Sequence, residues 1–108
     1  IHNKKVAVLS LTAEELQRFN VQTGDTEGLV NYGLSIAGVE MSALIIDRTI
    51  RVKMSFRSKN KFPCNIFAKE NFSGGGHYNA AGGQSELSLT ETLAKFERAI
   101  ENYTEWLE

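Results

Sequence analysis

The run Ile50-Arg51-Val52-Lys53-Met54-Ser55-Phe56-Arg57-Ser58 alternates between apolar and polar residues. Side chains on a strand point to opposite faces in turn, so Ile50, Val52, Met54 and Phe56 share one face and Arg51, Lys53, Ser55 and Arg57 the other. The pattern predicts a half-buried strand packed against helices on its apolar face. Immediately upstream, Ser42–Ile46 reads as a second strand. Asp47-Arg48-Thr49 is the turn between them, which makes an antiparallel hairpin.

Working outward, Lys5–Leu11 is a short apolar run rich in strand formers. Thr12 and Glu15 form a capping box that starts a helix over Ala13–Phe19. Gln22-Thr23-Gly24-Asp25 reads as a loop. Val30, Leu34 and Ala37 predict a helix over Glu27–Ala37, stopped by Gly38. Downstream, Pro63 opens a short helix that runs to about Asn71. Gly74-Gly75-Gly76 breaks it, and a helical turn and a strand over Gly83–Leu87 follow. Ser88 and Glu91 form a second capping box. Leu89, Leu93, Phe96, Ile100, Tyr103 and Leu107 then trace one stripe of an amphipathic helix. The order predicts a single α/β domain, a small mixed β-sheet flanked by helices.

With 108 residues, 42% hydrophobic and 23% charged, the chain suits one globular domain with a modest core. No apolar run approaches the ~20 residues of a membrane helix, so no membrane partner is expected. Ile1-His2-Asn3-Lys4-Lys5 leads straight into a strand-like run, so no signal peptide is expected. The absent initiator Met suggests a piece of something longer. Cys64 is the only cysteine, which excludes an internal disulfide and fits a cytoplasmic setting. A net charge of −1 argues against a general nucleic-acid clamp. The charge is uneven, however. Seven basic and no acidic residues lie between Arg48 and Lys69, whereas six Glu accompany only Lys95 and Arg98 from Glu86 onward. A solvated basic strand beside an acidic helix and a local anion site account for this equally well.

Phe72-Ser73-Gly74-Gly75-Gly76-His77-Tyr78-Asn79-Ala80-Ala81-Gly82-Gly83 holds five glycines in twelve residues. Glycine loses more entropy on folding than any other residue, so such a density asks for a return. Successive N–H groups could converge into an anion-binding nest, and a helical turn beginning at His77 would add its free amides. Capping one helix and turning into the next element would use the same residues. No Gly-Lys-Ser/Thr follows, so this is not a nucleoside-triphosphate loop, and the spacing is wrong for a dinucleotide fingerprint.

The segment resembles the signature of the DHH-associated domain found C-terminal to the catalytic domain of DHH phosphoesterases. That signature reads Phe, four glycines, His, two variable residues, Ala-Ala-Gly. Phe72, Gly74, Gly75, Gly76, His77, Ala80, Ala81 and Gly82 match it, as does Ala68 upstream, and Ser73 stands where the family has its first glycine. Ser55-Phe56-Arg57-Ser58 resembles the family's Ser-x-Arg-Ser strand. Glu27–Asn31 and Ile36–Glu40 are similar to its preceding helix and the start of its next strand. Similar family members are bacterial oligoribonucleases of the NrnA kind and related dinucleotide phosphodiesterases, with the exonuclease RecJ more distant.

The resemblance implies that residues 1–108 form a substrate-binding domain that works across a cleft from a catalytic domain of the same chain. Arg57, Gly74, Gly75, Gly76 and His77 would contact phosphate and base of a short RNA, DNA, dinucleotide or nucleoside 3′,5′-bisphosphate substrate. Ser55 and Ser58 would be secondary contacts and Asn31 a weaker one. Catalysis would rest on manganese or another divalent metal held by Asp and His residues of the catalytic domain. A homodimeric parent is left open. Asp25, Asp47, His2 and His77 sit at unrelated spacings, so neither a catalytic set nor metal ligands are expected within this chain. A Cys64–His77 zinc or nucleophile pair lacks partners or a suitable setting. Two rival readings remain: an RNA-binding module like the C-terminal domain of alanyl-tRNA synthetase, and an oligomerisation domain that uses the acidic C-terminal helix.

Overall fold

The computed structural model describes residues 5–20 and 22–107. The expectation for the first four residues therefore lies outside the described part. Among the described residues, five strands form one mixed sheet: β1 (Val6–Leu11), β2 (Met41–Asp47), β3 (Val52–Ser58), β4 (Gly75–His77) and β5 (Ala80–Ser85). Their spatial order is β1-β2-β3-β5-β4. β1 and β2 are parallel and all other neighbours antiparallel. The parallel pair is joined by α1 (Ala13–Arg18) and α2 (Thr23–Ser35). α3 (Cys64–Phe72) lies between β3 and β4, and α4 (Leu89–Ile100) runs into a 3-10 segment, Glu101–Leu107.

The two faces of the sheet are covered unequally. β2 is buried from Met41 to Ile46 because helices lie on both of its sides. On one side, Met41, Ala43 and Ile45 join Val52, Met54 and Phe56 against α3, α4 and the 3-10 segment. This main core is aromatic: Phe56, Phe62, Phe67, Phe72, Phe96 and Tyr103 are all buried. Phe56 and Phe67 meet edge to face with centroids 5.3 Å apart, an arrangement favoured by the ring quadrupoles. On the other side, Leu44 and Ile46 pack with Val30, Leu9, Leu11, Leu16 and Leu29 under α1 and α2. That cluster stops at β2. The polar side chains of β3 lie beyond it, as the burial of β3 shows: Val52, Met54, Phe56 and Ser58 are buried while Lys53 is exposed.

Several sequence expectations change. Gln22–Asp25 is not a loop. Gln22 caps α2, its N–H donating to Asp25 Oδ2 at 2.9 Å, and the helix starts at Thr23. α2 ends at Ser35, and Gly38 (φ 86°) belongs to the turn beyond rather than to the helix end. Ile50 precedes β3 and is 86% exposed, because the turn residue Thr49 adopts a left-handed φ of 74° and the ladder begins only at Val52. The C-terminal stripe is one helix only as far as Ile100. The backbone then tightens and kinks at Tyr103 (φ −121°), although Tyr103 and Leu107 still reach the core. The largest change concerns the glycine segment. There is no helical turn at His77. β4 and β5 form a hairpin joined by Tyr78 and Asn79, and β5 begins at Ala80 rather than Gly83.

Candidate functional site

The strand register places the predicted residues. Arg57 opposes Ala80, which opposes His77. Ser55 opposes Gly82, which opposes Gly75. Lys53 opposes Gln84. Residues opposite one another share a face, so these three rows lie on the side of the sheet that α1 and α2 leave uncovered beyond β2. Arg57 and His77 are two strands apart, roughly 10 Å. The small residues Ala80, Gly82 and Gly75 lie between and beside them. The result is a shallow floor of main chain, rimmed by a guanidinium, an imidazole and an ammonium group. A groove of about 370 Å³ adjoins it where the three-residue β4 ends, lined by Lys53, Gly82 and Gln84 together with Ser73 and Gly74.

The glycines divide by face. A Cβ on Gly74 would lie 1.9 Å from the Gly82 carbonyl oxygen, and one on Gly83 would lie 2.8 Å from Phe72 Cβ. Gly76 has φ 141°, and a Cβ there would lie 2.8 Å from Ala80 O and Ala81 Cα. These three are required by backbone geometry or by close packing within the domain. Gly75 is different. Its φ is not positive, and nothing lies within 4 Å of a Cβ built on it. Nothing inside the domain requires glycine at that position.

The backbone donors are not arranged as a nest. Ser73 ends α3 in the left-handed region (φ 50°, ψ 39°), and its N–H donates to Ala68 O. The Gly74 N–H donates to the same oxygen at 3.1 Å. Gly75, Gly76 and His77 lie in β4, an edge strand paired only with β5, so one row of its amide and carbonyl groups faces away from the ladder.

The remaining residues fall into two groups. Ser58 lies on the opposite face from Arg57 and is buried. Its hydroxyl donates to Phe62 O at 2.7 Å and accepts from Asn79 Nδ2 at 2.9 Å, which ties the β4–β5 connection to β3. Tyr78, in that connection, donates its hydroxyl to Lys61 O. Asn31, on α2, is drawn toward Arg57 through Glu27. Its Nδ2 donates to Glu27 Oε1 at 3.4 Å, and Glu27 in turn accepts from Arg57 Nε and Nη2, the shortest contact being 2.7 Å. Glu27 was not singled out from the sequence as Arg57's partner. Thirty positions separate the two, and only the folded packing of α2 beside β3 joins them. Arg51 Nη1 and Lys53 Nζ both donate to Gln84 Oε1, at 2.9 and 3.3 Å. Gln84 is neutral, so the positive charge of that row is not cancelled by its partner.

Catalytic machinery is not assembled around this floor. Among the described residues, no group of three or more His, Cys, Asp or Glu is placed to hold a metal ion. Cys64 is buried in the main core while His77 is exposed on the open face. Burial pushes the Cys64 thiol up to about 11, which suppresses the thiolate a nucleophile needs. Among the described residues, no helix is long and apolar enough to cross a membrane.

Fold and face together define a small α/β module with an open, cation-rimmed sheet surface. Residues 3–108 match the DHHA1 domain, and the chain belongs to that family, which is associated with DHH phosphoesterases. An exopolyphosphatase-related protein from Bacteroides fragilis is 43% identical over 99% of this chain, with a TM-score of 0.91. The chain spans about a third of that protein, 32% of its length. The C-Ala domain of Aquifex aeolicus alanyl-tRNA synthetase shares the fold at 13% identity, TM-score 0.63, covering 94% of this chain and 89% of that one. A pGpG-specific phosphodiesterase from Vibrio cholerae does so at 13% identity, TM-score 0.62, covering 94% of this chain and 35% of that one. No curated protein sequence matches significantly.

Proposed function

We propose that this domain holds the phosphate-bearing end of a short oligonucleotide or dinucleotide on its open sheet face, for hydrolysis by a metal-dependent DHH catalytic domain elsewhere in the same protein. The observation that carries this reading is Gly75. Its glycine is unexplained by anything within the domain, and it lies at the edge of a bare floor, on the same face as Arg57, His77, Ser55 and Lys53. A ligand that must approach the main chain closely supplies the missing reason. Arg57 suits phosphate through its planar fork of donors. His77 offers a ring nitrogen to a phosphate oxygen or a ring face to a base. Lys53 and Arg51 extend the positive charge along the direction in which a second phosphate would run.

The family context supports the division of labour. This chain lacks a metal-ligating cluster among its described residues and corresponds to a third of its Bacteroides relative. The domain would orient the substrate and neutralise its charge, while metal-activated water attacks phosphorus in the other domain. Titration with a 5′-phosphorylated dinucleotide tests the proposal. Arg57→Ala and His77→Ala are each expected to weaken binding by about 1–3 kcal/mol, the range for hydrogen bonds to charged groups. Wild-type affinity in both variants would refute it. Preference for a structured RNA over the dinucleotide would favour the tRNA-synthetase type of module instead.

A further inference from the structure

Arg57 stands at the centre of the proposed site, yet its donors are all engaged. The guanidinium carries five N–H groups. Nε donates to Glu27 Oε1 at 3.2 Å, and Nη2 reaches Glu27 Oε1 at 2.9 Å and Oε2 at 2.7 Å. Nη1 reaches Phe56 O at 2.9 Å and Ala81 O at 3.4 Å. The two carbonyl contacts fix the root of the fork to β3 and β5. The outward edge, the one that would grip a phosphate, is filled by the Glu27 carboxylate. The arginine side chain is 20% exposed and the glutamate 54%, so Glu27 is the partner that solvent and ligand can reach and displace.

We propose that Glu27 is a built-in competitor for the phosphate site: its carboxylate occupies the phosphate position on Arg57 and is exchanged for the ligand's phosphate on binding. The proposal rests on the functional reading above. A carboxylate carries one negative charge, as does an internal phosphodiester, so a diester gains little by taking its place. A terminal phosphomonoester carries about −1.5 to −2 at neutral pH and three strong acceptor oxygens, so it displaces the carboxylate on favourable terms. Glu27 thereby sets a threshold: any ligand that grips Arg57 must displace the same ion pair, and a terminal phosphate has the charge and acceptors to do so. Asn31, bonded to the same carboxylate oxygen, is placed to hold Glu27 on α2 after the exchange.

The test uses this chain with two probes, a 5′-phosphorylated dinucleotide and the same dinucleotide without its terminal phosphate, for wild type, Glu27→Gln and Arg57→Ala. Glutamine keeps the shape and removes the competing charge. Releasing an ion pair of this exposure is expected to raise affinity about two- to fivefold for the phosphorylated probe. The gain for the unphosphorylated probe is expected to be smaller, because a probe that does not grip Arg57 never has to displace the carboxylate, so the gap between the probes widens. Arg57→Ala is expected to abolish the discrimination. If Glu27→Gln binds both probes as wild type does, or more weakly, while Arg57→Ala still loses binding, Glu27 holds Arg57 in place rather than competing with ligand and the proposal is overturned, with the site intact. If Arg57→Ala also binds like wild type, the functional reading itself has failed. Circular dichroism of each variant confirms that the fold is retained, and Glu27→Asp, which keeps the charge, is expected to gain less affinity for the phosphorylated probe than Glu27→Gln.

Discussion

Replacing Gly75 with alanine separates a ligand's demand for space from the domain's own. The added methyl meets nothing within 4 Å, and the backbone at Gly75 does not need a positive φ. The folded state therefore loses no contact. The unfolded chain loses freedom, and glycine in a strand is disfavoured relative to alanine, so stability is expected to rise by roughly 0.5–1 kcal/mol. Gly76→Ala is the contrasting variant. There the methyl would lie 2.8 Å from Ala80 O and Ala81 Cα, at φ 141°, so a loss of about 2 kcal/mol or more is expected. Urea unfolding monitored by circular dichroism measures both. Binding of a 5′-phosphorylated dinucleotide should then fall at least about tenfold in Gly75→Ala despite its greater stability, because a methyl on the floor holds the ligand off the main chain by more than a hydrogen bond tolerates. A Gly75→Ala protein that is stabilised and binds undiminished would remove the argument that a ligand requires this glycine.

Other expectations follow from single positions. Ser73 adopts φ 50° at the end of α3, a conformation that costs a non-glycine residue about 1 kcal/mol, so Ser73→Gly should raise the urea midpoint by a corresponding amount. An unchanged or lower midpoint would contradict this. Phe67 touches Phe56, Phe62, Phe96 and Tyr103, and Phe67→Ala should cost about 3–5 kcal/mol, enough to unfold a domain of this size or nearly so by circular dichroism. The Cys64 thiol is raised from 9.0 to about 11 by burial. The neutral form is favoured in the folded state, so its contribution is fully present below pH 9 and is lost as pH rises toward 11, by up to about 3 kcal/mol. Native protein at pH 8 should accordingly react with thiol reagents only as fast as it unfolds, and rapid stoichiometric labelling would contradict the buried placement.

The hairpin β2–β3 and the polar face of β3 were legible because alternation of residue type reports directly on strand faces, and Arg57 could be named from that pattern. Gly75–Gly83 was not legible as a strand pair. Residues without side chains carry no periodicity, and the same glycines that break helices also permit the φ of 141° that Gly76 needs beside Ala81. For the same reason the anion nest expected at Gly74–Gly76 gave way to an edge strand. The division of the glycines into structural and unexplained members became visible only when neighbouring backbone could be measured against each. Ser58 was grouped with Arg57 through the resemblance to the family's Ser-x-Arg-Ser strand, but residues one apart on a strand face opposite ways, and its hydroxyl bonds Phe62 and Asn79. The start of α2 was hidden because Gln22 and Asp25 form an unusual cap, and with it the reach of Glu27 to Arg57.

The central claim is that the open face of β3, β5 and β4 receives a phosphate, and chemical-shift mapping of the isotope-labelled chain during titration with a 5′-phosphorylated dinucleotide tests it most directly. Saturable shifts are predicted at Gly75, Gly82, Ser55 and His77 and at the Arg57 side-chain N–H groups, with the outer face of α4 unmoved. Shifts confined to α4 or to the rim of the aromatic core, with the backbone signals of Gly75 and Gly82 stationary, would contradict it.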